Sequence, residues 1–189
     1  MKFIKFIGLA LIMLLVPGCE NLMSRDTAVT RIFISSSNPA HVLYAASYVG
    51  LQERQDREQL RSLVGVDPVR IEWCAAFINA ILERHSIPGS DSVSDTPLMA
   101  RSFLNWGTSV EEPQRGDIVI FKRGNSSWQG HVAIYLGTVE RNGRTYYRIL
   151  GGNQNDSVNV IDYPVSALLG IRRIDNPLLQ GQGVRLAFR

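Results

Sequence analysis

Cysteine, histidine and surplus charge are all scarce in this sequence. Two cysteines and three histidines among 189 residues exclude a disulfide-stapled scaffold. The formal charge of +3 comes from 20 basic and 17 acidic residues. Lys2 and Lys5 precede the first long apolar run, and without them the balance is 18 basic against 17 acidic. The arginines are interspersed with acidic residues, so no basic face points to nucleic acid. Internal repeats are absent as well. Apolar content of 45% and charged content of 20% are ordinary for a globular chain and exclude disordered, collagen-like and multi-span membrane classes. The length suits one ordinary domain with a core, or two very small ones.

What is present begins at the N-terminus. Phe6 to Val16 is apolar throughout except for Gly8. A helix over that run covers only ~16 Å, about half of a ~30 Å hydrocarbon core. That length fits the core of a secretory signal, expected over residues 1–18, and not a spanning helix. The run ends in Val16-Pro17-Gly18-Cys19, which resembles a bacterial lipoprotein cleavage box with Cys19 as the lipidated residue. A cleaved signal peptide with a coincidental cysteine is the alternative. Residues 19–39 are polar and read as a tether, leaving residues 40–189 for the folded domain. Glu20 after the cysteine, in place of aspartate, predicts the outer membrane facing the periplasm in a Gram-negative cell.

Lipidation of Cys19 would leave Cys74 alone in an oxidising compartment, where cysteines usually pair. A working thiol is one reason for such a residue. Helices are expected over His41–Val49, Arg57–Val64, Trp73–Arg84 and Pro97–Trp106. The third is apolar nearly all round and therefore buried. After Gly107 the pattern changes to β-branched and aromatic runs at Ile118–Phe121, Val132–Leu136, Tyr146–Leu150 and Leu169–Ile174. N-terminal helices with a central buried helix packed on an antiparallel β-sheet make an α+β fold.

Cys74 falls in the first turn of the buried helix. Free N–H groups and the helix dipole there favour a thiolate and predict a lowered thiol pKa. A small buried hydrophobe is the bland reading of the same residue. An imidazole must reach it. His85 lies about 16 Å further along the same helix and cannot; His41 carries no flanking pattern and reads as a surface residue. His131 opens the strand Val132–Leu136 and is the candidate base. Metal ligation by Cys74 and His131 lacks a third and fourth ligand, and no cofactor is called for. The second imidazole nitrogen needs an orienting acceptor. A two-residue Asn142-Gly143 loop sets His131 opposite Gln154, whereas a three-residue loop sets it opposite Asn153. Register alone does not decide between them.

Four blocks carry a resemblance. Trp73-Cys74-Ala75-Ala76-Phe77, Pro113–Phe121, Gly130-His131-Val132-Ala133-Ile134-Tyr135-Leu136-Gly137 and Gly151-Gly152-Asn153-Gln154 resemble, in this order, the NlpC and CHAP groups of peptidoglycan hydrolases. The likeness runs from about Ala40 to Arg173. It implies a papain-like fold with Cys74 as nucleophile, His131 as base and, by position, Asn153 as orienter. Gln154, Trp128 and Trp73 are candidates for a substrate groove. Trp128 can equally cap its loop, and Gln154 rivals Asn153 as orienter. Arg115-Gly116-Asp117 spells an adhesion tripeptide but reads as a turn entering a strand. The implied activity is cleavage of a peptide or amide bond in murein stem peptides, as an endopeptidase or N-acetylmuramoyl-L-alanine amidase. A non-catalytic envelope lipoprotein and a thiol acyltransferase are the rival functions.

Overall fold

The computed structural model describes residues 38–174; the expected signal segment, Cys19, the tether up to 37 and the last residues after 174 lie outside them. Among the described residues no helix is long and apolar enough to cross a membrane. Three α-helices come first: α1 Ala40–Ala46, α2 Arg57–Val64 and α3 Cys74–Glu83. Helix α2 ends at Gly65, whose left-handed φ of 72° suits a residue without Cβ. Six strands follow: β1 Thr108–Ser109, β2 Ile118–Lys122, β3 Gly130–Arg141, β4 Arg144–Gly151, β5 Asn159–Pro164 and β6 Leu168–Arg173. The fold is α+β, with α3 as the central buried helix.

The expected helix over Pro97–Trp106 is instead a 3₁₀ segment, Ala100–Asn105. The Ser102 hydroxyl donates to the Thr96 carbonyl at 2.6 Å, a side-chain bond that competes with regular helical pairing.

The strands form one antiparallel sheet in the order β1-β6-β2-β3-β4-β5. One face, with Ile118, Ile120, Val132, Ile134 and Leu150, packs on Phe77, Ile78 and Ile81 of α3. The opposite face gathers Val119, Phe121, Ala133, Tyr135, Tyr147 and Ile149 into a second apolar cluster. Burial on both faces explains why these strands read as unbroken apolar runs and not as alternating ones.

The second cluster is enclosed because the sheet curls. Strands β5 and β6 sit four spacings apart, about 19 Å in a flat sheet. Yet only the 3₁₀ turn Val165–Ala167 joins them, and such a turn rises about 2 Å per residue. The curl brings Tyr163 of β5 over Phe121 of β2, with ring centroids 4.5 Å apart.

The hairpin between β3 and β4 is tight, pairing Arg141 with Arg144 across Asn142-Gly143. A bulge between Tyr135 and Gly137 then shifts the register, so that Ile134 faces Leu150. Leu136 is the extra residue on β3. No further pair forms between β3 and β4, so the two strands part where His131 lies.

Candidate active site

Helix α3 delivers Cys74 to the place where β3 and β4 part. Trp73 precedes the helix, and no side chain caps its N-terminus. The Cys74 thiol is free, 3% exposed, and within reach of the backbone N–H groups of Val132 and Ala75. Val132 directly follows His131, so the nucleophile candidate and the imidazole both lie at the start of β3.

His131 is 2% exposed, and its Nε2 lies 3.0 Å from Gln154 Oε1. The tautomer follows from the next bonds outward. Gln154 Nε2 donates to the Asn159 carbonyl at 2.7 Å and to Asn159 Oδ1 at 2.9 Å. With its amide donors taken, Gln154 can present only its oxygen to the imidazole. Nε2 of His131 therefore carries the hydrogen, and Nδ1 keeps a lone pair. That Nδ1 is buried with no hydrogen-bond partner among the described residues. Asn159 Nδ2 in turn donates to the Gln154 carbonyl at 2.7 Å and to Ser157 Oγ at 2.8 Å.

The expectation that Asn153 faces His131 is corrected. Asn153 has a left-handed φ of 57°, beyond the end of β4, and its Nδ2 donates to Glu72 Oε2 at 2.7 Å. The tight hairpin pointed to Gln154 and the bulge would have restored Asn153. Neither register reaches this far, because the chain has already left the sheet. Asp156, in the same loop, is exposed.

Two groove candidates are corrected as well. Trp73 is fully buried, its ring edge-on to Phe77 and its Nε1 donating to Glu53 at 3.2 Å. Gln154 is buried in the network described above. Trp128 alone of the three is open, at 61% exposure. Its loop is pinned by Arg101, whose Nε donates to the Gln129 carbonyl at 2.7 Å. The block Gly151-Gly152 has a packing reason: a Cβ on Gly152 would meet Phe77 Cβ at 2.8 Å and Trp73 Cε3 at 2.8 Å.

His41 is not a surface residue. It is buried, with Nε2 2.9 Å from the Gly116 carbonyl, a partner too distant in sequence to be foreseen. Asp117 of the Arg115-Gly116-Asp117 turn is buried in a two-bond pair with Arg173, at 3.0 and 2.7 Å. It is held inside the fold and not offered to a receptor.

Electrostatics at the site run against the expected low thiol pKa. Burial pushes the Cys74 thiol up, outweighing the Val132 N–H, the Arg123 charge and the Ala75 N–H, which favour the thiolate; Glu72 disfavours it. The helix terminus contributes, but loss of solvent is larger. Burial also takes His131 down to about 4, against the hydrogen bond to Gln154 and with help from Arg123. Both shifts favour a neutral thiol and a neutral imidazole at rest. Across the mouth, Arg123 Nη1 donates to Glu72 Oε2 at 3.3 Å. Among the described residues no three His, Cys, Asp or Glu side chains converge as metal ligands.

A helix-borne cysteine beside a strand-borne, amide-braced histidine is the arrangement of the papain-like class. Residues 66–153 match the family model of the CHAP domain, which is consistent with the NlpC/CHAP cysteine peptidase superfamily. The match covers α3 and β2 to β4 and stops one residue short of Gln154. A search of curated proteins finds no match. A CHAP domain suggests peptidoglycan hydrolase or amidase-like activity.

Proposed function

We propose that this protein is an exported, lipid-anchored cysteine hydrolase that cleaves a peptide or amide bond of murein stem peptides, with Cys74 as nucleophile, His131 as base and Gln154 as orienter. The observation that carries this reading is the unpartnered, buried Nδ1 of His131. Its lone pair is fixed by Gln154 at Nε2, on the strand whose next N–H reaches Cys74. A nitrogen in that state is a proton acceptor waiting for a donor.

In the proposed reaction the Cys74 S–H proton passes to His131 Nδ1 as sulfur attacks the amide carbonyl. The tetrahedral intermediate collapses, His131 protonates the departing amine, and a thioester remains. Water, deprotonated by the same Nδ1, then releases a carboxylate and restores the thiol. Since both groups rest neutral, proton transfer accompanies attack and does not precede it.

Incubating the purified protein with murein and weighing the fragments tests the reading. Release of a new amine and carboxylate by the native protein, and not by Cys74→Ala, is the expected result. Intact murein favours the non-catalytic lipoprotein, and a fragment that gains an acyl group favours a transferase. The anchor has its own test. Cys19→Ala should move the protein from the membrane to the soluble envelope fraction without changing turnover in vitro, since stable attachment relies on buried acyl chains.

A further inference from the structure

We propose that Tyr163 is a positioning residue for His131, setting the plane of the imidazole so that Nδ1 points at Cys74. The inference deepens the reading of Cys74 and His131 as the reacting pair and rests on it.

His131 has only two fixed points, its Cβ on β3 and its Nε2 on Gln154 Oε1 at 3.0 Å. These lie on nearly opposite sides of the ring. They leave the ring free to swing about the line between them, and that swing carries Nδ1. A third restraint must act on the plane itself. Tyr163 supplies one: its ring stacks on the imidazole with centroids 5.7 Å apart and planes within 21°. This separation and near-parallel geometry belong to attractive offset stacking.

Tyr163 is itself held. Phe121, directly opposite His131 in the β2–β3 ladder, lies 4.5 Å from the Tyr163 centroid on a plane tilted by 35°. The cross-strand pair Phe121 and His131 thus shares one ring as its cover. That ring arrives from β5, three strands away from β2 in the sheet order, only because the sheet curls. Tyr163 also lies near enough to Cys74 for the sulfur's charge to act on its hydroxyl. Tyr163 therefore stacks on one member of the proposed pair and lies near the other. As a lid on one imidazole face it also excludes water, which agrees with the depressed His131 value of about 4.

The test separates ring from hydroxyl. Tyr163→Phe keeps the flat face, whereas Tyr163→Leu removes it. The full chain of each would be checked for native folding by circular dichroism. Two quantities are then read: the titration midpoint of the His131 Cε1–H by NMR, and single-turnover cleavage of murein fragments against pH. Charged neighbours of His131, chiefly Arg123, are unchanged throughout. For Tyr163→Phe both readouts should stay near native. For Tyr163→Leu the midpoint should rise from about 4 toward the ordinary 6.5 as water reaches the ring. Turnover at neutral pH should fall about tenfold or more, since an orienter acts on ring angle.

If Tyr163→Leu leaves both readouts native, the proposal is overturned. If Tyr163→Phe loses as much turnover as Tyr163→Leu, the hydroxyl is the working group and ring positioning is wrong. Should Tyr163→Leu not fold, Tyr163→Met keeps the bulk without a flat face and answers the same question. A native protein that cleaves no murein, with the midpoint moving as expected, would reject the proposed reaction and leave the positioning role standing.

Discussion

Gln154 offers its oxygen to Nε2 of His131 because Asn159 has taken both hydrogens of the Gln154 amide. A side-chain amide could point either way. Asn159, through its carbonyl and Oδ1, removes that freedom and so fixes the histidine tautomer. Replacing Gln154 by Ala should lower single-turnover cleavage about tenfold or more by releasing both tautomer and angle. Asn153→Ala, which loses a bond to Glu72, should cost less. Loss confined to Asn153→Ala would contradict this arrangement.

Acid should destabilise the protein through His131. Its folded value of about 4 lies below the ordinary 6.5, so between those values the unfolded chain binds more protons. Stability is fully present above about pH 6.5 and is lost progressively as pH falls toward 4, by about 3 kcal/mol at the outside. His41, also lowered by burial, adds in the same direction. Denaturant midpoints from pH 7 to 4 would show the slope. His131→Gln should flatten it; an unchanged slope would mean that His131 is not buried neutral.

The thiol has two charged neighbours that act in opposite senses. Arg123 lowers the Cys74 value and Glu72 raises it. Arg123→Gln should therefore move the alkylation midpoint further up in pH, and Glu72→Gln should move it down. Rates with a small alkylating agent against pH would reveal both. Movement of the two variants in the same direction would exclude a coulombic origin.

Gly152→Ala tests the packing behind the loop that carries Gln154. A methyl there meets both Phe77 and Trp73, and neither ring has room to retreat in a fully buried cluster. Overpacking of this kind costs about 1–3 kcal/mol, readable as a lowered denaturant midpoint. An unchanged midpoint would mean that the loop moves aside.

The elements that carry the site were legible because their patterns are local. Arg57–Val64 emerges with its expected bounds, and α3 within a residue at each end. Strand β5 is not legible in the sequence because Asp162 interrupts its apolar run. That carboxylate pairs with Arg148 at 2.8 Å, a partner on β4 that no periodicity reveals. Cys74 and His131 stand out as candidates from type and spacing. The choice between Asn153 and Gln154 was not legible. It depends on a bulge at Leu136 and on a chain that leaves the sheet after Gly151. Trp73 sits beside the nucleophile in sequence, yet the helix start turns it into the core. Tyr163 left no signal at all, since its nearness to His131 exists only once the sheet has closed.

The three-residue link from β5 to β6 has a consequence in time as well as in space. A chain ending before Asn159 would contain Cys74, His131 and even Gln154, but not the partner that turns the Gln154 amide. It would lack the ring over the imidazole too. Local pairings such as the β3–β4 hairpin form early, while contacts that close long loops form late. If Cys74 and His131 cleave as proposed, full competence arrives with the final strands and not with the nucleophile. In the proposed mechanism a fragment or half-folded chain of this protein would therefore cleave more slowly than the complete molecule, so the fold itself delays full activity.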